Sequence, residues 1–136
     1  MRKVKVYIES PYTNGDREQN VQLQMDACYH LIMLGFNPYM PVYHHFVQKQ
    51  HDDMRENENF DWVKEIDLPW LENCDIAIRL HPKDIFGVEI QSPGADDEQA
   101  FCKEKGIPLF HFDTIEDMVK NICQFSSEIQ LIDAQI

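Results

Sequence analysis

Positive charge is scarce in this chain. Its 12 Lys and Arg are set against 24 Asp and Glu among 136 residues, a formal net charge of −12. Broad binding to a DNA or RNA backbone needs a basic surface, so this balance argues against a nucleic-acid polymer as partner. A small phosphorylated ligand stays open, because a helix N-terminus and one or two cations hold a phosphate locally. Long apolar runs are missing as well. No stretch reaches the roughly 18 residues of a membrane span, so no membrane partner is expected. The four cysteines, Cys28, Cys74, Cys102 and Cys123, form no C-x-x-C pair and read as buried reduced thiols. There is no internal repeat, no low-complexity tract and no signal-peptide pattern ahead of the first strand, so a cytoplasmic location is the default.

What is present suits one compact domain with a core, at 43% hydrophobic residues. "VKVYI" (4–8) reads as a strand and "ESPYTNGD" (9–16) as a polar loop. A helix follows from about Arg17 to Leu34, started by Asp16 with Gln19 in a capping-box-like pattern and stopped by Gly35. Val21, Met25, Cys28, Leu31 and Ile32 mark its apolar face. "FNPYM" (36–40) reads as a second strand weakened by Pro38. Residues 41–58 are polar, with part of them a short helix. Residues 59–73 have a helical pattern with Trp62, Ile66 and Leu71 apolar, which Pro69 kinks or restarts. "DIAIRL" (75–80) is a third strand. A loop over 81–94 leads to a helix over about 95–105, ended by Gly106. "IPLFHF" (107–112) is a fourth strand, and Thr114 with Asp117 caps a last helix to about Gln124. The tail reads as a fifth strand or a frayed end. Alternating strands and helices predict an α/β fold: a single-domain, flavodoxin- or Rossmann-like three-layer sandwich on a parallel sheet of four or five strands. Such sheets bind ligands at the carboxyl ends of their strands. The loops 9–16 and 81–94 fall on that edge.

One stretch there carries more acid than a helix end needs: "SPGADDEQ", residues 92–99. Acids in a first turn meet the positive end of the helix dipole, which accounts for one or two of them. Successive helical residues point about 100° apart, so Asp96, Asp97 and Glu98 cannot all face one crevice. Glu98 has the longest reach. The first loop, with Tyr7, Ser10, Tyr12 and Asn14, should face the same crevice.

"VYIESPYTNGDR", "GFNPYMPVYHHF", "DWVKEIDLPWLENCDIAIRL" and "SPGADDEQAFCKEKGIPLF", in this order and spacing, resemble the nucleoside 2-deoxyribosyltransferase-like family. That family includes the transferases and the deoxynucleoside 5′-monophosphate N-hydrolases. The resemblance covers about residues 4–112. It implies cleavage or transfer at an N-glycosidic bond of a nucleoside or its 5′-monophosphate, with no cofactor and a homodimer or higher assembly. By position, Glu98 matches the glutamate nucleophile, Asp67 an aspartate that handles protons, and Tyr7 a tyrosine that orients the glutamate. Ser92 matches a serine that contacts phosphate in the hydrolases, where the transferases tend to have aspartate; this favours nucleotide hydrolysis. Ser10, Tyr12, Asn14, Arg17 and Gly94 are the remaining candidates for holding sugar or phosphate. Three places depart from the family pattern: the first loop is not glycine- and arginine-rich as in the hydrolases, with Glu9 where a small residue is common and Arg17 its nearby cation; Pro69 sits two residues after Asp67; and Asp96 and Asp97 replace smaller or apolar residues. The chemistry fits the residue types. Positive charge develops on the sugar as the bond breaks, a carboxylate stabilises or traps it, and a second acid serves the leaving base. The helix dipole is expected to help keep Glu98 ionised.

"YHHFVQKQHDD" looks like a metal cluster, but His44 and His51 on a helix lie about 10 Å apart along the axis. No metal site is expected; a covering loop or a solvated segment is. Trp62 and Trp70 read as core or subunit contact, His81 and His111 as isolated surface or structural residues, and Arg79 as an interruption of its strand that points to the strand's end or pairs with an acid. The rival reading of the whole chain is a module that binds a nucleotide-like ligand without turning it over.

Overall fold

A computed structural model describes residues 2–51 and 60–125. The tail and the acids Asp52 and Asp53 lie outside the described residues. The elements run β1 (Lys5–Glu9), α1 (Arg17–Met33), β2 (Asn37–Tyr39) and α2 (Tyr43–Gln50). Next, a π-helical turn (Val63–Asp67) runs into α3 (Leu68–Glu72), followed by β3 (Ile76–Leu80). Last come α4 (Pro93–Lys105), β4 (Leu109–Phe112) and α5 (Ile115–Asn121), which ends in a 3-10 turn (Ile122–Phe125). The four strands are parallel in the order β2-β1-β3-β4, an α/β sandwich of the Rossmann and flavodoxin kind.

Local chemistry sets the boundaries. Asp16 Oδ1 accepts the Gln19 N–H at 3.0 Å and opens α1. Ser92 Oγ does the same for Ala95 at 3.1 Å and Thr114 Oγ1 for Asp117 at 3.0 Å. Ser92 starts α4 at Pro93, two residues ahead of the sequence expectation, because proline suits a first helical position. Gly106 closes α4 at φ +71°, a left-handed conformation that side chains resist. β2 is short and lies at the sheet edge, where Pro38 removes one ladder donor.

The strands alternate strictly. Val6 and Ile8, Ile76, Ile78 and Leu80, and Phe110 and Phe112 pack on Ala27 and Leu31 of α1 and Met118 of α5. The opposite rows meet α3 and α4: Tyr7 and Ala77 pack with Leu71 and Cys102. In α1 the buried side is Asn20, Val21, Gln24, Ala27 and Leu31, while Met25 and Ile32 are exposed. The apolar face read from the sequence is therefore rotated by part of a turn. Two buried polar residues displaced it, and both have partners in the loops above the sheet.

Ile78 is fully buried on the central strand β3, on the all-apolar face. Ile78→Ala is expected to cost about 2–5 kcal/mol in urea unfolding. Phe86→Ala, at an 83% exposed position, should stay within about 0.5 kcal/mol.

Candidate active site

The face of the sheet under α4 changes character along its strands. β1 and β3 pair with Tyr7 beside Ala77 and Glu9 beside Arg79. Reading toward the carboxyl ends, that row goes from apolar to ionisable. Beyond it opens a cavity of about 320 Å³, walled by the loop after β1, by α2, by the π-helical turn and by the start of α4. Ser10, Tyr12, Asp67, Ser92, Gly94 and Glu98 all line it.

The loop after β1 is held by α1. Asn20 Nδ2 donates to the carbonyls of Tyr12 at 3.0 Å and Asn14 at 2.6 Å. Gln24 Nε2 donates to Ser10 Oγ at 2.8 Å, and its Oε1 accepts the Val42 N–H at 3.2 Å. One buried amide thus ties β1's loop to the segment leading into α2, and Gln24 itself lines the cavity. Neither Asn20 nor Gln24 was among the candidates. The signal for them was a polar residue at each of two positions one turn apart, inside an otherwise amphipathic helix. Asn14 and Arg17 stand elsewhere. Asn14 donates to the Gln91 carbonyl at 2.9 Å, joining the two rim loops, and Arg17 lies over the Tyr12 ring, 5.3 Å from its centre.

The three acids of α4 divide. Asp96 is exposed and pairs with Arg79 at 2.8 Å, which gives Arg79 the acid partner expected of it. Asp97 is exposed. Glu98 is 5% exposed, faces the cavity and accepts a hydrogen bond from the Tyr7 hydroxyl. It is the sixth residue of α4, beyond the turn where the dipole acts. The expectation that the dipole keeps it ionised is overturned: burial, then the neighbouring Glu9, push its carboxyl well above the usual range, against the pull of Tyr7 and Arg79. Tyr7, fully buried, is pushed up by its own burial and by Glu98.

Asp67 owes its place to Pro69. A proline ring clashes with the carbonyl four residues back and has no N–H to give. The helix yields by one residue: Leu68 N–H reaches the Val63 carbonyl, and the π-helical turn puts Asp67 into the cavity wall, 2% exposed. Asp67 Oδ2 lies 3.4 Å from His44 Nε2, and its Oδ1 has no hydrogen-bond partner among the described residues. Burial raises the Asp67 carboxyl, with His44 opposing.

His44 and His45 are not in a solvated segment, and the segment that walls the cavity there is a helix instead of a loop. Both are buried on α2; His44 lines the cavity beside Asp67, and His45 Nδ1 lies 2.8 Å from the Tyr12 hydroxyl. Trp62, read as core or contact, lines the cavity too, stacked on His44 with ring centres 4.7 Å apart. Trp70 is half exposed and stacks on Tyr39. His81 and His111 are not isolated from each other: His81 Nε2 lies 2.8 Å from His111 Nδ1, and His81 Nδ1 lies 2.7 Å from Glu89. All four cysteines are free, but only Cys102 is buried; Cys28 and Cys74 are half-buried and Cys123 is exposed. No described helix is long and apolar enough to cross a membrane.

Residues 4–112 match the family described as a domain of unknown function, DUF7768. The chain belongs to that family. The match takes in the whole sheet and every cavity residue named above. No curated protein matches the chain.

The raised Glu98 carboxyl has a consequence for stability. The folded protein keeps a proton there that the unfolded chain releases near its ordinary value, so stability falls as pH rises through that window. Thermal melts should show Glu98→Gln gaining on the natural protein as pH rises above the ordinary glutamate range, and a gap that stays constant with pH would contradict the assignment.

Proposed function

We propose that the protein breaks or exchanges an N-glycosidic bond of a nucleoside, with Glu98 as the nucleophile. One observation carries this reading. Two carboxyls from different elements, Glu98 on α4 and Asp67 on the π-helical turn, are buried in the wall of a single cavity at the carboxyl ends of parallel strands. A cavity of about 320 Å³ suits a nucleoside-sized ligand, and the Trp62–His44 stack offers a flat surface to a base.

The chemistry is a double displacement. A Glu98 oxygen bonds to C1′ as the C1′–N bond breaks, and the bond's electron pair leaves on the base nitrogen. Asp67, its carboxyl raised by burial, gives that nitrogen a proton. Water, deprotonated by the Asp67 carboxylate, then attacks C1′ and frees Glu98, which is hydrolysis. A second base attacking C1′ in place of water is transfer. The Tyr7 hydroxyl, bonded to Glu98, orients the attacking carboxyl.

The resemblance leaves open a nucleoside or its 5′-monophosphate. Three lining side chains, Asp61, Asp67 and Glu98, are acidic. Ser92 Oγ, the phosphate candidate, accepts the helix-capping N–H of Ala95 and keeps its O–H to donate, but among the described residues no Lys or Arg side chain lines the cavity. These walls favour the uncharged nucleoside.

The second reading, a module that binds such a ligand without reaction, draws on the same carboxyl. Burial holds Glu98 toward its neutral form, in which it is a hydrogen-bonding group and not a nucleophile. A panel of nucleosides and their 5′-monophosphates, assayed for free base, separates the two. Base release is expected, to be abolished in Glu98→Ala and reduced about 10²- to 10⁴-fold in Asp67→Asn. Saturable ligand binding with no free base across the panel would establish the binding module instead.

A further inference from the structure

Glu9 is the last residue of β1 and is fully buried, yet the mechanism above gives it nothing to do. It lies one strand pleat beyond Tyr7, on the same face of the sheet, and Tyr7 holds Glu98. Its Oε2 accepts a hydrogen bond from Cys102 Sγ at 3.4 Å. Cys102 is one turn after Glu98 on the buried side of α4. Glu9 and Glu98 thus lie in the same layer between β1 and α4, Glu9 tied to α4 through Cys102 and Glu98 tied to β1 through Tyr7. The other Glu9 oxygen, Oε1, has no hydrogen-bond partner among the described residues.

The cation that belongs beside Glu9 is spent elsewhere. Arg79 is its register partner on β3, but the guanidinium donates to Gln99 Oε1 and Asp96 Oδ1, both at 2.8 Å. A buried carboxylate with a thiol for its one partner is costly as an anion and acceptable as a neutral acid.

We propose that Glu9 is a positioning residue for Glu98: the two buried carboxyls hold one proton between them, and Glu9 governs when Glu98 is the anion. This deepens the N-glycosidase reading and rests on Glu98 as its nucleophile. The groups facing the pair are Tyr7 on β1, Arg79 on β3, Asp96 and Cys102 on α4, and Asp67 on the π-helical turn. Burial pushes the Glu9 carboxyl up to about 8, while Cys102 and Arg79 draw it down. Its negative form in turn raises Glu98. Two carboxyls coupled in this way lose their protons in two separated steps that belong to the pair. With Glu9 as the anion, Glu98 keeps its proton and cannot attack. With Glu9 neutral, Glu98 is free to ionise.

The test is the ionisation of Glu98, followed by the carboxyl carbon shift in protein labelled with carbon-13 glutamate. The resonance is assigned by its loss in Glu98→Gln. The natural protein should show two inflections with pH. In Glu9→Gln, which keeps the shape and removes the charge, one inflection should remain, displaced downward by ~1 pH unit or more. The acid limb of kcat/KM for base release should move the same way, which a purely structural role of Glu9 would not cause. A single inflection in the natural protein, or a midpoint unmoved in Glu9→Gln, overturns the proposal. If Glu9→Gln does not fold, Asp67→Asn decides: both inflections should persist there, and the loss of one would assign the coupling to Asp67 and overturn the proposal. Two inflections in a protein that releases no base from any nucleoside retire the glycosidase reading and leave the shared proton standing.

Discussion

Glu98 sits out of water with a tyrosine hydroxyl, not a cation, as its bonded partner. An isolated carboxylate in such a place is strongly disfavoured, and a protein answers by protonating it, pairing it or giving it a ligand. Much of the surrounding structure is shaped by that problem. Tyr7 offers a hydroxyl from the middle of β1. Arg79 brings a positive charge near but bonds to Asp96 and Gln99. Glu9 and Asp67 are further acids nearby, and the charge of either one raises the Glu98 carboxyl. The cavity stands on the side that Glu98 lines.

This arrangement depends on the period of two along parallel strands. Even-numbered residues of β1 and β3 build an aliphatic layer with α1 and α5, which carries the stability of the fold. Odd-numbered residues are then free to be Tyr7, Glu9 and Arg79 without breaching that layer. A chain with 43% hydrophobic residues can hold several buried acids because the two tasks fall on opposite sides of one sheet.

Strand identity, order of elements and helix caps were legible because each rests on chemistry within a few residues: Asp16 to Gln19, Thr114 to Asp117, glycine at 106. That the three acids of α4 would divide followed from helical rotation, while reach and the family resemblance singled out Glu98. What escaped is non-local. Gln24 reads as a flaw in an apolar face until the loops it bonds, at Ser10 and Val42, are seen above it. His44 and Trp62 are far apart in the chain, and only the chain's return over the strand ends stacks one on the other. The ionisation of Glu98 also could not be read from the dipole, because the opposing force, desolvation, depends on how deeply the completed fold encloses it.

The π-helical turn at Val63–Asp67 sets the phase of everything after it. One surplus residue advances the following helix by about 100°. Shortening this segment by one residue would mend the backbone ladder and give a more regular helix. It would also swing either Asp67 out of the wall or Leu71 out of the interior, since no single rotation serves both. The irregularity is what lets a short helix answer to the solvent-facing cleft at one end and to the packed interior at the other.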